Sequence, residues 1–513
     1  MLSRIDKFLN SITMYRLVLY ALMLLASYSI VLAFSGVLHH GGFSYVYSLI
    51  IISVVCYVSN LVFAKVFNAP VNAESWIITA FILYFLMFPS VTVADAVTAV
   101  FVAFVAMASK YILTINKRHI FNPVAIAALV VGATAFFKGS MPGVEHFFDS
   151  GNVVWWVGTP VMMPFVLVAG FLVIRKIRKF AMFFSFITGS VVTTLVLTFF
   201  VDHGTFTDLV SMLSQNFMSW PLIFFAAFML TEPLTMPPHS RVQILFGFLV
   251  GLLFSARYSI GPLYSTPELA LVIGNIFAFA VSMKRRLMLT LKEKKLISKD
   301  TYEFSFASDF PLSFHPGQYL EWTLPEQYSK DGKLIADLRG NRRFFTIASS
   351  PTEQDIKLGV KFYEPSSAFK QGLLGLDEGL VVAAGQLGGD FTLPSDTTKK
   401  LVFIAGGIGV TPFRSMIKYL IDRKEKRDIT LIYCVKTEDE IAYRDIFDQA
   451  EKEIGLKVVY LIGNFLTEDM VKEYIDSIFY LSGPNVMVEN YKKLLLKMGV
   501  RRSRIMTDYF PGF

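Results

Sequence analysis

Two short runs in the second half of the chain combine residue types that handle phosphate. The first is Asn341-Arg342-Arg343-Phe344-Phe345-Thr346-Ile347-Ala348-Ser349-Ser350-Pro351. A fixed guanidinium there suits a pyrophosphate, because its planar fork meets two phosphate oxygens at once. A cationic strand edge with hydroxyl-rich turn chemistry is the simpler alternative. The second run, Gly406-Gly407-Ile408-Gly409-Val410-Thr411-Pro412, follows the apolar stretch Leu401 to Ala405. Glycines let the backbone turn sharply and approach a pyrophosphate. Pro412 suits a first helical turn, and the unpaired amides at a helix N-terminus attract the anion.

The surrounding pattern says which elements must position these runs. From Leu287 the composition changes to alternating apolar and polar residues with turn signals; Thr301 to Phe306 and Gln318 to Leu324 read as strands of an antiparallel barrel. After Pro394 the pattern becomes strand, helix, strand, helix, as in a parallel α/β sheet. We therefore expect an antiparallel β-barrel over residues 287–397 and an α/β nucleotide-binding domain over 398–513.

With Pro316-Gly317-Gln318-Tyr319 ahead of it, Arg343-x-Phe345-Thr346-x-x-Ser349 resembles the flavin-binding motif of the ferredoxin:NADP reductase superfamily. The resemblance implies that Arg343 holds the FAD pyrophosphate, Phe345 packs on the flavin and Thr346 hydrogen-bonds near flavin N5, with Ser349 completing the motif. Ser366 and Ser367, before Phe369, fall at the family's second phosphate-binding segment, and Gly385 to Phe391 at its glycine turn. Gly406, Gly407, Gly409, Thr411 and Pro412 would then hold a nicotinamide nucleotide. Ser482-Gly483-Pro484-Asn485-Val486-Met487 resembles the family's Cys-Gly-Pro-x-x-Met loop beside the nicotinamide, with Ser482 for cysteine. Phe510 or Phe513 in the C-terminal tail could cover the flavin ring until nicotinamide displaces it, or simply close the core. Thr346, Ser482 and Phe513 are the expected catalytic positions. In Lys436-Thr437-Glu438-Asp439-Glu440, acidic groups, Glu440 among them, would accept ribose hydroxyls and repel a 2′-phosphate, which favours NADH over NADPH, while Lys436 argues the other way.

The first half has a different solvent. The chain of 513 residues is 54% hydrophobic and only 17% charged, against about a quarter for a soluble protein. Residues 1–286 hold 17 Lys and Arg against 9 Asp and Glu; residues 287–513 hold 31 of each. The net +8 thus belongs entirely to the apolar half, where it reads as a membrane-topology signal and not as a nucleic-acid face. Ten apolar runs can be marked between Tyr15 and Met283, several of about the 20 residues a bilayer requires. The first, Tyr15 to Phe34, is long enough to span and is not followed by a small-residue cleavage site. With a cytoplasmic N-terminus, 15 of the 17 cations fall in inside loops and span ends. This predicts a multi-pass domain in the cell membrane with both termini cytoplasmic. A shift of 144 residues places Ser75-Trp76 on Ser219-Trp220, Phe81 on Phe225, Leu86 on Leu230, Pro89 on Pro233 and Pro123 on Pro267. Five spans per copy make the copies inverted, an arrangement that builds a ligand site near the midplane. Interfacial anchoring and helix-end chemistry would also produce these identities.

Lys117-Arg118-His119-Ile120-Phe121-Asn122-Pro123 and Thr231-Glu232-Pro233-Leu234-Thr235 resemble signature loops of the flavin-carrying membrane subunits of the sodium-pumping NADH:quinone reductase and the Rnf complex. That family has ten spans in inverted repeats and attaches FMN to the Thr of a Ser/Asp-Gly-Ala-Thr sequence. Here the corresponding place reads Val157-Gly158-Thr159-Pro160, so Thr159 is the position an FMN would use. A non-covalent flavin or a quinone could take the same place.

Other redox groups are disfavoured. Six of the seven histidines lie in loops or at ends of the apolar runs and the seventh, His315, in the polar half, so paired axial haem ligands are not expected. Two cysteines, Cys56 and Cys434, cannot supply an ordinary iron-sulfur or Cys-rich zinc site, and no metal is expected. The expectation is a polytopic helical membrane domain over 1–286 fused to the two soluble domains. It would carry electrons from NAD(P)H through FAD to a membrane redox group, and on to a quinone, a partner subunit or an acceptor across the membrane. A transporter or membrane anchor carrying a reductase is the alternative; no Asp, Glu, Lys or Arg lies deep in the apolar runs, which argues against an ion relay.

Overall fold

The computed structural model describes every residue except 1–4, 7, 10–11, 68–72, 116–117, 138–152, 219, 261–262, 283–284, 326–340, 364–365 and 511–513. The chain divides into two compact units, Met1–Arg285 and Arg286–Phe513.

The first unit is helical. Its helices are α1 (Met14–Phe34), α2 (Gly42–Val66), α3 (Ala73–Leu86), α4 (Val93–Ile112), α5 (Pro123–Phe137), α6 (Met163–Ile177), α7 (Phe180–Val196), α8 (Phe206–Met218), α9 (Leu222–Phe224), α10 (Ser240–Ser255) and α11 (Pro267–Ala280). Helices α1, α2, α4 and α7 with its π-helical extension to Val201 are long and apolar enough to cross a membrane. A fifth candidate is α8 with α9, which runs on as a π-helical turn to Met229; its two parts are bent by 55°. The remaining apolar runs form helices of only 14 to 16 residues, about 21–24 Å at 1.5 Å per residue. The described helices therefore supply four or five full-length candidates where the apolar runs suggested ten spans. Hydropathy registers apolar runs but not where a helix starts or breaks.

The 144-residue offset recurs in the element order. Hairpin β1–β2 (Thr114–Ile115, Arg118–His119) precedes α5, which begins at Pro123; hairpin β3–β4 (Ser259–Ile260, Leu263–Tyr264) precedes α11, which begins at Pro267. Glycines set the closest helix contact. A Cβ on Gly247 would lie 2.5 Å from the Met182 carbonyl oxygen, and one on Gly251 or Gly189 would strike backbone of the facing helix. Small residues therefore let α7 and α10 approach backbone to backbone, as membrane helices do without a hydrophobic driving force.

Charge is also buried here, at helix ends. Lys110, near the end of α4, is buried and donates to the Ser75 carbonyl at 2.9 Å and its Oγ at 3.1 Å. Glu268, in the first turn of α11, is buried and accepts from Trp155 Nε1 at 2.5 Å. Partly buried Glu232 accepts from Asn122 Nδ2 at 2.8 Å, and Asn275 Oδ1 accepts the Asn122 amide at 2.9 Å. These groups sit near helix ends, and neighbouring elements cover them.

The second unit begins with six antiparallel strands in the order β8-β7-β10-β5-β6-β9. They are β5 (Leu287–Ser298), β6 (Thr301–Ser308), β7 (Tyr319–Thr323), β8 (Arg342–Thr346), β9 (Ile356–Lys361) and β10 (Val381–Gly388), with helix α12 (Ala368–Leu374) before β10. Their alternation places Leu289, Leu291, Phe304, Phe306 and Trp322 inside. Five parallel strands follow in the order β13-β12-β11-β14-β15: β11 (Leu401–Gly406), β12 (Ile429–Val435), β13 (Lys457–Ile462), β14 (Ile478–Pro484) and β15 (Ile505–Phe510). Their helices are α13 (Thr411–Arg423), α14 (Arg444–Ile454), α15 (Glu468–Val471) and α16 (Asn485–Lys497). Phe413, Met416, Ile417 and Leu420 line one face of α13 and pack on Phe403 and Tyr433; Val488, Tyr491 and Leu495 of α16 cover the opposite face of the sheet over Val402, Ile404 and Phe479. The strand order reverses between β11 and β14. The carboxyl ends of these two strands therefore frame the crevice where open α/β sheets bind ligands.

Candidate nucleotide and flavin site

The glycine turn lies at that crevice. Gly406 ends β11, Gly407 to Val410 form a single 3-10 turn, and α13 starts at Thr411 with Pro412 in its first turn. Thr411 Oγ1 donates to the Ile408 carbonyl at 3.1 Å, which ties the turn to the helix. Each glycine meets a different surrounding. A Cβ on Gly409 would lie 2.5 Å from the Ser482 carbonyl oxygen and 2.6 Å from Gly483, and one on Gly406 would strike Met487, whereas one on Gly407 meets no atom within 4 Å. Gly407 has φ +52°, which other residues adopt only with strain. Gly406 and Gly409 thus allow the turn to nest against β14, and Gly407 leaves an open face of backbone.

Ser482 of β14 pairs in register with Ala405 of β11 and Asp508 of β15. Its Oγ is fully buried with no hydrogen-bond partner among the described residues. An orphaned hydroxyl is costly unless a ligand satisfies it, so this position fits a nicotinamide amide. Thr346, the buried end of β8, donates through Oγ1 to Asp508 Oδ2 at 3.4 Å. Asp508 therefore belongs with Thr346 and Ser482, although it was not among the expected site residues. Gly483 and Pro484 complete β14.

The residues expected to hold phosphate in the antiparallel sheet meet at an aromatic ring. The Arg343 guanidinium carbon lies 5.4 Å from the Phe369 ring centroid, and Phe345 packs on the same ring at 5.6 Å. Arg343 Nη1 also donates to the Arg342 carbonyl at 2.7 Å. Ser367 caps α12 by accepting the Lys370 amide at 3.4 Å, and Ser366 Oγ donates to the Tyr363 carbonyl at 2.6 Å. A fixed guanidinium beside a hydroxyl-bearing turn fits a pyrophosphate. A flavin held here would supply the chemistry of accepting an electron pair as hydride and releasing electrons singly.

Two expected site residues make contacts within the protein. Ser349 is committed internally: its Oγ accepts the Lys357 amide at 3.0 Å and its carbonyl accepts Ser415 Oγ at 2.6 Å. Glu440 turns towards the end of β9, where Oε1 pairs with Lys361 Nζ at 3.0 Å and Oε2 accepts the Lys436 amide at 3.5 Å. The neighbouring Asp439 and Glu438 pair with Lys299 and Arg444. Phe513 lies outside the described residues. In the helical unit, Thr159 follows the 3-10 turn Trp156–Gly158, and its Oγ1 is buried without a partner among the described residues. No cluster of His, Cys, Asp and Glu able to hold a metal occurs among the described residues.

Residues 403–493 match the family model described as the oxidoreductase NAD-binding domain. The chain is 26% identical over 224 residues to a flavohemoprotein of Rhodopirellula baltica, covering 38% of this chain and 53% of that one. It is 26% identical over 247 residues to NADH-cytochrome b5 reductase 1 of Ajellomyces capsulatus, covering 42% and 76%. The chain thus spans about half the length of the flavohemoprotein it matches. Among solved structures, the flavohem-like FAD/NAD binding domain of the Vibrio cholerae nitric oxide dioxygenase aligns with TM-score 0.39 at 21% identity, covering 44% of this chain and 98% of that one. The C-terminal half of this chain is a ferredoxin-reductase-like, NAD(P)H-dependent flavin oxidoreductase domain that binds FAD and NAD(P)H.

Proposed function

We propose that the chain is a membrane-bound flavoprotein oxidoreductase that carries electrons from cytoplasmic NAD(P)H through FAD to a redox group held within its helical unit, and on to a quinone or another acceptor. The observation that carries this reading is the joining, in one chain, of a flavin reductase domain to an apolar helical unit whose short, Pro-initiated helices recur at a 144-residue offset. On this reading the unit over residues 1–286 has ten spans in inverted repeats, with both termini cytoplasmic. It is a relative of the flavin-carrying subunits named above. The barrel occupies 287–397 and the nucleotide domain 398–513.

Arg343, with the Ser366-Ser367 turn, holds the FAD pyrophosphate, Phe345 supports the ring, and Thr346 faces the reacting edge. The amides of the glycine turn and of the first turn of α13 hold the nucleotide pyrophosphate. Ser482 directs the nicotinamide. Because the carboxylates of the 438–440 run are all engaged in ion pairs, either NADH or NADPH serves as donor.

Thr159, with its unpartnered Oγ1, supports a ligand at that loop. The degraded attachment sequence argues that an FMN there is held without a covalent bond. Acid precipitation of the purified full chain tests this. Flavin beyond the FAD of the soluble domain, released into the supernatant, supports the reading. One FAD per chain with no other flavin or quinone would overturn it. The buried Lys110 and Glu268 favour a second reading, a transporter or anchor carrying a reductase, since charges within membrane helices usually mark an ion or solute path.

A further inference from the structure

We propose that Arg414 is a positioning residue for hydride transfer, fixing the nucleotide-binding helix to the loop that leaves the flavin-facing strand; this rests on the reading that the domain transfers hydride from NAD(P)H to FAD. Arg414 lies in the first turn of α13, immediately after the glycine turn, and is 3% exposed. Both of its terminal nitrogens donate to the Glu353 carboxylate, Nη2 to Oε1 at 2.9 Å, and Nη1 also donates to the Ala348 carbonyl at 3.1 Å. Its guanidinium carbon sits 5.5 Å from the Tyr443 ring centroid. The next residue repeats the connection, with Ser415 Oγ donating to the Ser349 carbonyl at 2.6 Å.

The loop that receives these contacts is itself fixed. Glu353 Oε2 accepts the Ser350 amide at 2.7 Å, Lys357 Nζ lies 3.4 Å from Glu353 Oε1, and the Ala348 amide donates to the Lys357 carbonyl at 2.8 Å. Ala348 is two residues from Thr346, and Arg414 is five from Gly409. A chain of directional contacts therefore runs from the flavin-facing hydroxyl to the turn that holds the nucleotide. Cohesion alone does not require charge here, because well-packed apolar side chains often hold a seam as well as a buried ion pair does. What the bidentate fork adds is orientation. Hydride transfer needs it, since the reacting atoms must meet at about 3–3.5 Å and a displacement of about 1 Å can cost a hundredfold in rate.

The test uses the full chain with bound FAD and the variants Arg414→Lys, Glu353→Gln and the apolar pair Arg414→Leu with Glu353→Leu. Stopped-flow reduction by saturating NADH, with 4-deuterated NADH for the isotope effect, reads hydride transfer; ferricyanide oxidation of dithionite-reduced protein reads the flavin without the nucleotide. We expect reduction to slow on the order of tenfold or more, with hydride transfer rate-limiting, FAD content retained and reoxidation unchanged. Arg414→Lys and Glu353→Gln carry the test if the apolar pair does not fold. Reduction at the wild-type rate, or slowing matched by FAD loss or equally slow reoxidation, would overturn the positioning role. Absence of reduction by nucleotide in the wild-type chain would instead overturn the reading on which it rests.

Discussion

Replacing Glu440 by Ala separates two roles for one carboxylate. If Glu440 received the ribose hydroxyls, its loss would weaken NADH, spare NADPH and leave the fold intact. The structure instead places it against Lys361, with the two side chains only 14% and 9% exposed and 3.0 Å apart. Removing one partner of a fully buried pair costs about 3–5 kcal/mol, and a hydrogen bond to a charged group contributes about 1.5–3 kcal/mol. Lys361 keeps a partial compensation, because its ammonium lies 5.7 Å from the Tyr363 ring centroid, so we expect a loss of about 2–3 kcal/mol. For a domain of this size that lowers Tm by roughly 5–10 °C. The assays are thermal unfolding followed by flavin fluorescence, and kcat/KM with NADH and NADPH. A fall in Tm with the NADH to NADPH ratio changed by less than about threefold supports the seam role; tenfold corresponds to about 1.4 kcal/mol. An unchanged Tm with a tenfold swing towards NADPH would refute it.

The glycine turn gives a paired prediction. Gly407→Ala meets no neighbour but must hold φ +52°, so it should cost about 1–2 kcal/mol and weaken nucleotide binding while FAD stays bound. Gly409→Ala strikes the backbone of Ser482 and Gly483 and should be the more damaging in both Tm and hydride transfer; equal effects would contradict the assignment. Arg343→Ala should lower FAD retention by about 1.5–3 kcal/mol, read as an increase in the FAD dissociation constant. Burial alone would raise the Glu353 carboxyl, but the Arg414 hydrogen bonds and charge outweigh it and hold the carboxyl below its usual range. The stabilisation from this pair is therefore full above the unfolded value of about 4.3 and is lost as pH falls through the lower folded one. Melting curves of wild type and Glu353→Gln should converge on acidification, and parallel curves would count against the pair.

The sequence made the site more legible than its supports. Arg343, Thr346 and the 406–412 turn, on which the proposed site rests, stand out because a guanidinium, a hydroxyl and three glycines there combine residue types that handle phosphate. Strand alternation in 287–324 makes the antiparallel sheet legible, because a half-buried strand must alternate. Arg414 and Glu353 are 61 residues apart and meet only through folding; a carboxylate in a turn gives no local sign that it will be buried. For Glu440 the sequence shows an acid after the second strand, which reads as a ribose acceptor, but not its ion pair with Lys361, which lies 79 residues away in the chain. In the helical unit the starts at Pro123 and Pro267 were legible in the apolar runs, whereas the 55° bend before Leu222 was not, because hydropathy does not register a break in the helix axis.

The central claim is that electrons entering from NAD(P)H leave through the helical unit. Full-length protein and the fragment from Arg286 onward, the second compact unit, which we expect to fold on its own, would each be placed with quinone-loaded liposomes. Anaerobic NADH is added, and flavin bleaching and quinol formation are followed together. We predict flavin bleaching in both samples, but a second reducible chromophore or quinol formation only with the full chain. Equal quinone reduction by fragment and full chain, or FAD bleaching in the full chain with no electrons reaching any membrane acceptor, would contradict it.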